Sequence, residues 1–173
     1  GLSITRPLLA GGKPIGANVQ VTDASIGEFG NAEMPAVAAL GDTVYAAWVD
    51  DRDYAPGGIL TYAIYFAKST DGGVTWGPNT RLSDDSWDGY LQRPSLDIAA
   101  DGTVWVTWLV KSCYTSASTP RCGGENRNND IRIARSTDGG ASWSEGTILD
   151  GNDDIDDYDN GNLVVDRNTG NVY

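Results

Sequence analysis

An all-β architecture, a β-propeller of four-stranded antiparallel blades, is predicted for this 173-residue chain by three observations. One turn occurs twice almost unchanged, as Ser69-Thr70-Asp71-Gly72-Gly73-Val74-Thr75-Trp76 and as Ser136-Thr137-Asp138-Gly139-Gly140-Ala141-Ser142-Trp143. The strand-like segments around that turn recur with it, Pro35 to Pro94 being 59 residues and Ser69 to Ser136 being 67. The 24 acidic side chains are almost all Asp and stand among 22 Gly, and Asp and Gly serve tight turns where Glu would serve helices.

A period of this size marks a repeated supersecondary unit. Met34-Pro35-Ala36-Val37-Ala38 corresponds to Arg93-Pro94-Ser95-Leu96-Asp97, and Asp42 through Trp48 to Gly102 through Trp108. Ile64 through Lys68 corresponds to Ile131 through Arg135, each running into its repeated turn. Strands are therefore expected over 35–39, 43–49, 60–68 and 79–83, and again over 94–99, 103–109, 130–135 and 146–149. Four short strands separated by Gly/Asp turns read as a propeller blade rather than a sandwich. Asn18 through Asp23 matches Asn79 through Asp84, and a third copy opens at Gly161. The chain divides into 1–33, the outer strand of a preceding blade and a connection; 34–92, a blade; 93–160, a second blade; and 161–173, the start of a further one. Two complete blades and parts of two others would leave apolar sheet faces open, so the remaining blades of a longer chain, or other copies, are expected to cover them.

Composition narrows the partners. A net charge of -12 without a basic stripe excludes nucleic acid and anionic lipid. No apolar run approaches the roughly 20 residues of a spanning helix, so no membrane insertion is expected. The opening Gly1-Leu2-Ser3-Ile4 has no signal-peptide character, and the sequence reads as the mature part of an exported protein. Cys113 and Cys122 bracket a polar segment, and the chain has no His to complete a zinc site. A local disulfide and an extracellular or cell-surface location follow, with two free thiols as the alternative.

The repeated turn has a physical task at this spacing. Asp71 and Asp138 are placed to accept hydrogen bonds from N–H groups of their own turns, which Ser69 and Ser136 open. Gly73 and Gly140 supply positive φ, and Trp76 and Trp143 pack back between strands. On these residues the sequence resembles the sialidase/neuraminidase superfamily with Asp-box (bacterial-neuraminidase) repeats, over about residues 18 to 173. The resemblance implies the propeller fold. It leaves activity open, because that superfamily includes hydrolases of sialic acid and other sugars, sorting receptors and secreted proteins without known chemistry.

For a catalytic member the resemblance implies an Arg-Ile-Pro element in the first blade, then an Asp-x-Arg, then an Asp acid in the next loop. Further arginines and a Tyr/Glu nucleophile pair follow, the arginines clamping a substrate carboxylate. Asp50-Asp51-Arg52 matches the Asp-x-Arg, and Asp53 begins the following loop. Glu33-Met34-Pro35 puts an anion where the first arginine is implied. In the second copy Gln92-Arg93-Pro94 carries its arginine one place late, where strand alternation aims it at the other face, and Val110-Lys111-Ser112 replaces the Asp-x-Arg. No residue is assigned as catalytic. Arg52, Asp50 and Asp53 are what an enzyme would use, with the other family residues beyond Tyr173, and Arg52 reads first as a structural partner of Asp50 or Asp53.

In a four-stranded meander the Asp-box turns leave one end, and the second-to-third and blade-to-blade loops leave the other. Nearly all clustered acid falls at that other end, where propellers bind ligands. Asp150-x-Asn152-x-Asp154 and Asp157-x-Asp159 present oxygen ligands at alternate positions, as calcium sites do, and equally suit solvated loop tips. Trp87 and Tyr90 could stack on a sugar ring beside Arg93, or cap the joint between blades. The expected protein is a secreted, non-catalytic module that binds a glycan or protein, or builds a surface assembly, through its acidic loop face. It requires no cofactor, calcium aside. The alternatives are an exo-sialidase-like glycoside hydrolase and a structural subunit of an extracellular assembly.

Overall fold

The computed structural model describes residues 18–23, 31–53, 62–83, 89–112, 115–116, 119–120, 129–144, 147–149 and 162–173. For residues 89, 90, 111, 112, 115, 116, 119, 120, 129, 147 and 148 it describes the backbone alone. These residues form strands and turns, with no helix among them.

The first unit is a four-stranded antiparallel sheet in chain order: β1 (Ala32–Leu40), β2 (Thr43–Asp50), β3 (Ala63–Ser69) and β4 (Thr80–Arg81). The second unit repeats it with β5 (Gly89–Ile98), β6 (Val104–Ser112), β9 (Asn129–Ser136) and β10 (Thr147–Ile148). Between β6 and β9, β7 (Thr115–Ser116) and β8 (Thr119–Pro120) pair as a small separate hairpin. All eight expected strands are present. The outer ones are short because β4 pairs only at Tyr65 and Phe66 of β3, and β10 only at Arg132 and Ile133 of β9.

Register sorts the connections by end. Ala32, Asp50 and Ala63 lie side by side at one end of the first sheet, and Leu40, Thr43, Val44 and Ser69 at the other. The Asp-box turn therefore leaves the same end as the Gly41-Asp42 turn, and Gly72 N–H donates to Asp42 O at 2.8 Å. The loop after Asp50 leaves the opposite end.

The two sheets share one core. Tyr45, Ala47, Val49, Ile64 and Phe66 of the first pack with Leu96, Ile98, Val104, Val106, Trp108 and Ala134 of the second. On the other face of the first sheet, Ala46, Trp48, Ala63, Tyr65 and Ala67 pack with Val21 and Trp76. β2 is thus apolar on both sides, as a sheet stacked between two layers requires, and a simple in/out alternation is lost from its sequence. The first strand of the first unit is different in kind. β1 buries Ala36, Ala38 and Leu40 only in part and leaves Val37 63% exposed.

Both first strands carry a β-bulge at the same place, between Glu33 and Ala36 and between Gln92 and Ser95. In each, a non-glycine residue before proline has positive φ, Met34 at 53° and Arg93 at 51°. That conformation costs an L-residue on the order of 1 kcal/mol, and the proline, which has no N–H to give to the ladder, sits where the ladder is already broken. The segment 162–173 lies against the second unit. Leu163 N–H donates to Ser95 Oγ at 2.9 Å and Val165 N–H to Asp97 Oδ2 at 2.8 Å, while Val164 and Tyr173 exchange backbone hydrogen bonds.

Candidate functional site

Of the sequence candidates, Asp50, Arg52 and Asp53 come together at the end of the first sheet away from the Asp-box turn. Asp50, the last residue of β2, is buried and accepts from Trp48 Nε1 at 2.8 Å, from Arg52 N–H at 2.9 Å and from Arg52 Nη2 at 2.6 Å. Trp48 and Asp50 share a face because they stand two apart in a strand. Arg52 also donates through Nη1 to Asp23 Oδ1 at 2.6 Å and through Nη2 to Asn79 Oδ1 at 3.1 Å. The Tyr65 ring lies 4.1 Å beneath the guanidinium.

The cluster ties distant parts of the chain together. Asp23 and Asn79 exchange backbone-to-side-chain hydrogen bonds of 2.8 and 3.0 Å, and Asn79 Nδ2 donates to Val21 O at 2.9 Å. Arg52 clamps that junction to β2 from a position where its side chain is 16% exposed. Asp53 turns elsewhere, accepting from Tyr65 Oη at 2.8 Å and pairing with Arg81 Nη1 at 3.3 Å. Asp51 is buried and accepts from both the backbone and the side-chain nitrogen of Asn31.

Electrostatics follow from these contacts. The hydrogen bond that Arg52 donates to Asp50 raises the Arg52 pKa above its ordinary value. Burial pushes Asp50 upward, but hydrogen bonds from Arg52 and Trp48 more than offset it, and the carboxyl is held below 3.8. Burial, together with the hydrogen bond to Asp53, pushes the Tyr65 phenol up to about 12. Both terminal nitrogens of Arg52 are engaged by the protein's own oxygens. The guanidinium does not present the free two-pronged fork that bidentate capture of a carboxylate uses.

Among the described residues the second unit lacks this cluster. Val110 stands where Asp50 does, Arg132 replaces Tyr65, and Trp108 Nε1 is buried with no hydrogen-bond partner among them. Arg93 is exposed, at the bulge of β5, and the positive φ there resets the alternation from which its direction was expected. Trp87, the side chain of Tyr90, Cys113, Cys122, and Asp150, Asn152, Asp154, Asp157 and Asp159 lie outside the described residues. Among the described residues no three His, Cys, Asp or Glu side chains form a metal-ligand group.

The Asp-boxes are closed hydrogen-bond units. Asp71 accepts from Ser69 Oγ at 2.7 Å, Thr75 N–H at 2.9 Å and Thr75 Oγ1 at 2.6 Å, and Ser69 Oγ accepts from Gly73 N–H at 2.8 Å. Asp138 repeats this with Ser136, Ala141 and Ser142, and Ser136 Oγ accepts from Gly140 N–H at 2.7 Å. Hydrogen bonds from Thr75 to Asp71, and from Ser142 to Asp138, hold both carboxyls well below the usual carboxylate range. Trp143 carries its turn into the joint between sheets, its ring meeting Phe66 edge-on at 4.8 Å.

No protein-family model matches the chain, and no curated protein matches it. Its fold is nevertheless similar to parts of solved structures. A protein of unknown function from Dyadobacter fermentans matches with a TM-score of 0.51 and 23% identity, over 70% of this chain and 37% of that one. A Hadza microbial sialidase matches with a TM-score of 0.51 and 19% identity, over 68% of this chain and 26% of that one. The chain thus spans between about a quarter and just over a third of the length of these structures, and the likeness is one of fold.

Proposed function

We propose that the chain forms successive blades of a sialidase-like, Asp-box β-propeller, and that it serves outside the cell as a non-catalytic module recognising a glycan or a protein. Two consecutive four-stranded meanders that share a core support the propeller, as does the similarity to part of a sialidase. The observation that carries the non-catalytic reading is the engagement of Arg52 by Asp50, Asp23 and Asn79 over Tyr65. Glu33, exposed in β1 two pairs from Asp51, adds a negative charge unsuited to an anionic substrate.

Recognition is assigned to the end opposite the Asp-box turns, where Arg93 is an exposed cation on a strained bulge. Strain of this kind is kept where side-chain direction matters. Residues 150–159 are proposed to hold calcium at that end, and Cys113 and Cys122 to staple a neighbouring loop. The test is paired. The protein is expected to leave a fluorogenic sialoside uncleaved, and to lose binding on a glycan array when Arg93 is replaced by Ala. The Asp50-x-Arg52 spacing favours a second reading, an exo-sialidase-like hydrolase, and sialoside turnover abolished by Arg52→Met would establish it in place of the first.

A further inference from the structure

Two apolar surfaces lie open on opposite sides of the molecule, and the joint between the two units shows what each of them fits. At that joint Leu96 is 7% exposed, Phe66 covers Gly140, and Trp143 meets Phe66 edge-on. Leu82 packs against the same core from the outer edge of the first unit. Each of these residues has a repeat on the far face of the first sheet. Val37, the repeat of Leu96, is 63% exposed on the same face as its strand partner Ala46. Gly73 repeats Gly140, and among the described residues a Cβ there would meet only the Trp76 ring of its own turn, at 3.9 Å. Val21 repeats Leu82 and is already packed on this face. The face is a joint surface with its outer edge filled and its Val37 and Gly73 positions uncovered.

The complementary surface lies on the segment 162–173. Val165 pairs with Val172 as Ile98 pairs with Val104 and Ala39 with Val44, which puts Val164 and Tyr173 in the register of Ala38 and Tyr45. Ala38 and Tyr45 pack with Leu96 in the shared core. Val164 and Tyr173 exchange backbone hydrogen bonds, so their side chains share one side, where they are 57% and 73% exposed. Leu163 and Val165, which alternate to the other side, are buried beside Ser95 and Asp97 of the second unit. Val164 and Tyr173 thus offer Val37 what Ala38 and Tyr45 offer Leu96. Both sheets and their shared core stand between the two surfaces, so it takes a second copy of the chain to bring them together.

We propose that the Val37–Gly73 face of one copy receives Val164 and Tyr173 of a second copy, head to tail, in the frame of the internal joint. The proposal rests on reading the units as successive blades. Val21 does not block the contact, because it stands where Leu82 stands at the internal joint. The two surfaces differ, so the contact is heterologous, and repeated addition builds rings or open chains. Each copy carries a net charge of -12, so the contact is expected to tighten as salt screens the repulsion.

The test is sedimentation velocity of the whole protein over a concentration series at low and high salt. The wild type is expected to sediment as species larger than one copy that dissociate on dilution, and to resist dilution better at high salt. Val37→Asp and Val164→Asp each change one exposed residue, on opposite surfaces, and each should sediment as a single copy with a cooperative melting transition. Val37→Ser serves in place of Val37→Asp should the charged variant fail to fold. Mixed together, the two variants should form a one-to-one dimer and nothing larger, since each brings the surface that the other has lost. Arg93→Ala should associate as the wild type does. Association that survives both variants, or folded variants that do not pair when mixed, would overturn the proposal. A wild type that stays a single copy at every concentration yet unfolds in one transition would overturn it and leave the blade reading standing, whereas separate unfolding of the two sheets would count against both.

Discussion

Gly140 has no room for a methyl group. A Cβ built there falls 2.6 Å from Phe66 Cζ, and its φ of 91° is one that L-residues rarely adopt. Gly41 has the second handicap without the first, with φ at 62° and nothing within 4 Å of a Cβ. Gly41→Ala should therefore cost about 1 kcal/mol of unfolding free energy and Gly140→Ala about 2 to 4 kcal/mol, both read by urea denaturation. Equal costs would mean that Phe66 moves aside freely. Asp50 makes a prediction in pH. Its folded pKa is depressed, so the stability it contributes is present above 3.8 and is lost as pH falls through the lower folded value. Asp50→Asn should be less stable near neutrality by about 3 kcal/mol. It should also show a shallower loss of stability than wild type below about pH 4, measured by denaturant midpoints across that range. The Arg52–Asp50 pair was legible in sequence because two residues apart in and just after a strand put them on one face. Asp23 and Asn79 were not legible as its partners, since they meet across 56 residues and only the fold brings them together. Asp53, the alternative to Asp50 as partner of Arg52, is taken by Tyr65 and Arg81 from the neighbouring strands.

At the scale of elements, the strands were legible because glycine-bearing turns bracket them and because the second copy checks the first. Their ends were less so. β3 is seen from Ala63, paired with Asp50, and residues 60 and 61 lie outside the described residues, while β5 runs back to Gly89 because it pairs with the extended end of β6. The bulges at Met34 and Arg93 were invisible to alternation, which assumes an unbroken ladder. The joint between sheets was foreseen as Trp143 packing between strands, but its partner, Phe66, belongs to the other unit. That pairing gives an element-level prediction. A double-mutant cycle with Phe66→Leu and Trp143→Leu should yield a coupling of about 0.5 to 1.5 kcal/mol. Additive effects within error would show that the edge-on contact contributes no more than area burial.

For the molecule as a whole, one core drawn from both sheets predicts one transition. Circular dichroism of the strands and fluorescence of the tryptophans should report coincident midpoints in urea, because neither sheet retains its buried face alone. Two separated midpoints would mean that each unit holds together by itself. The joint between the two units at the Asp-box end is not legible in sequence, because it is made by their approach and not by any one loop. The two units also differ in one respect that the sheets ignore. β2 and β3 are joined from Asp50 to Ala63, while β6 and β9 are joined from Ser112 to Asn129, yet the strand order is the same. Pairing is set by the strands and by the Asp-box at the far end, so the length of this crossing carries no folding information. It is a natural insertion point: a reporter peptide or an epitope placed between β6 and β9 should be displayed without disturbing the framework beneath it.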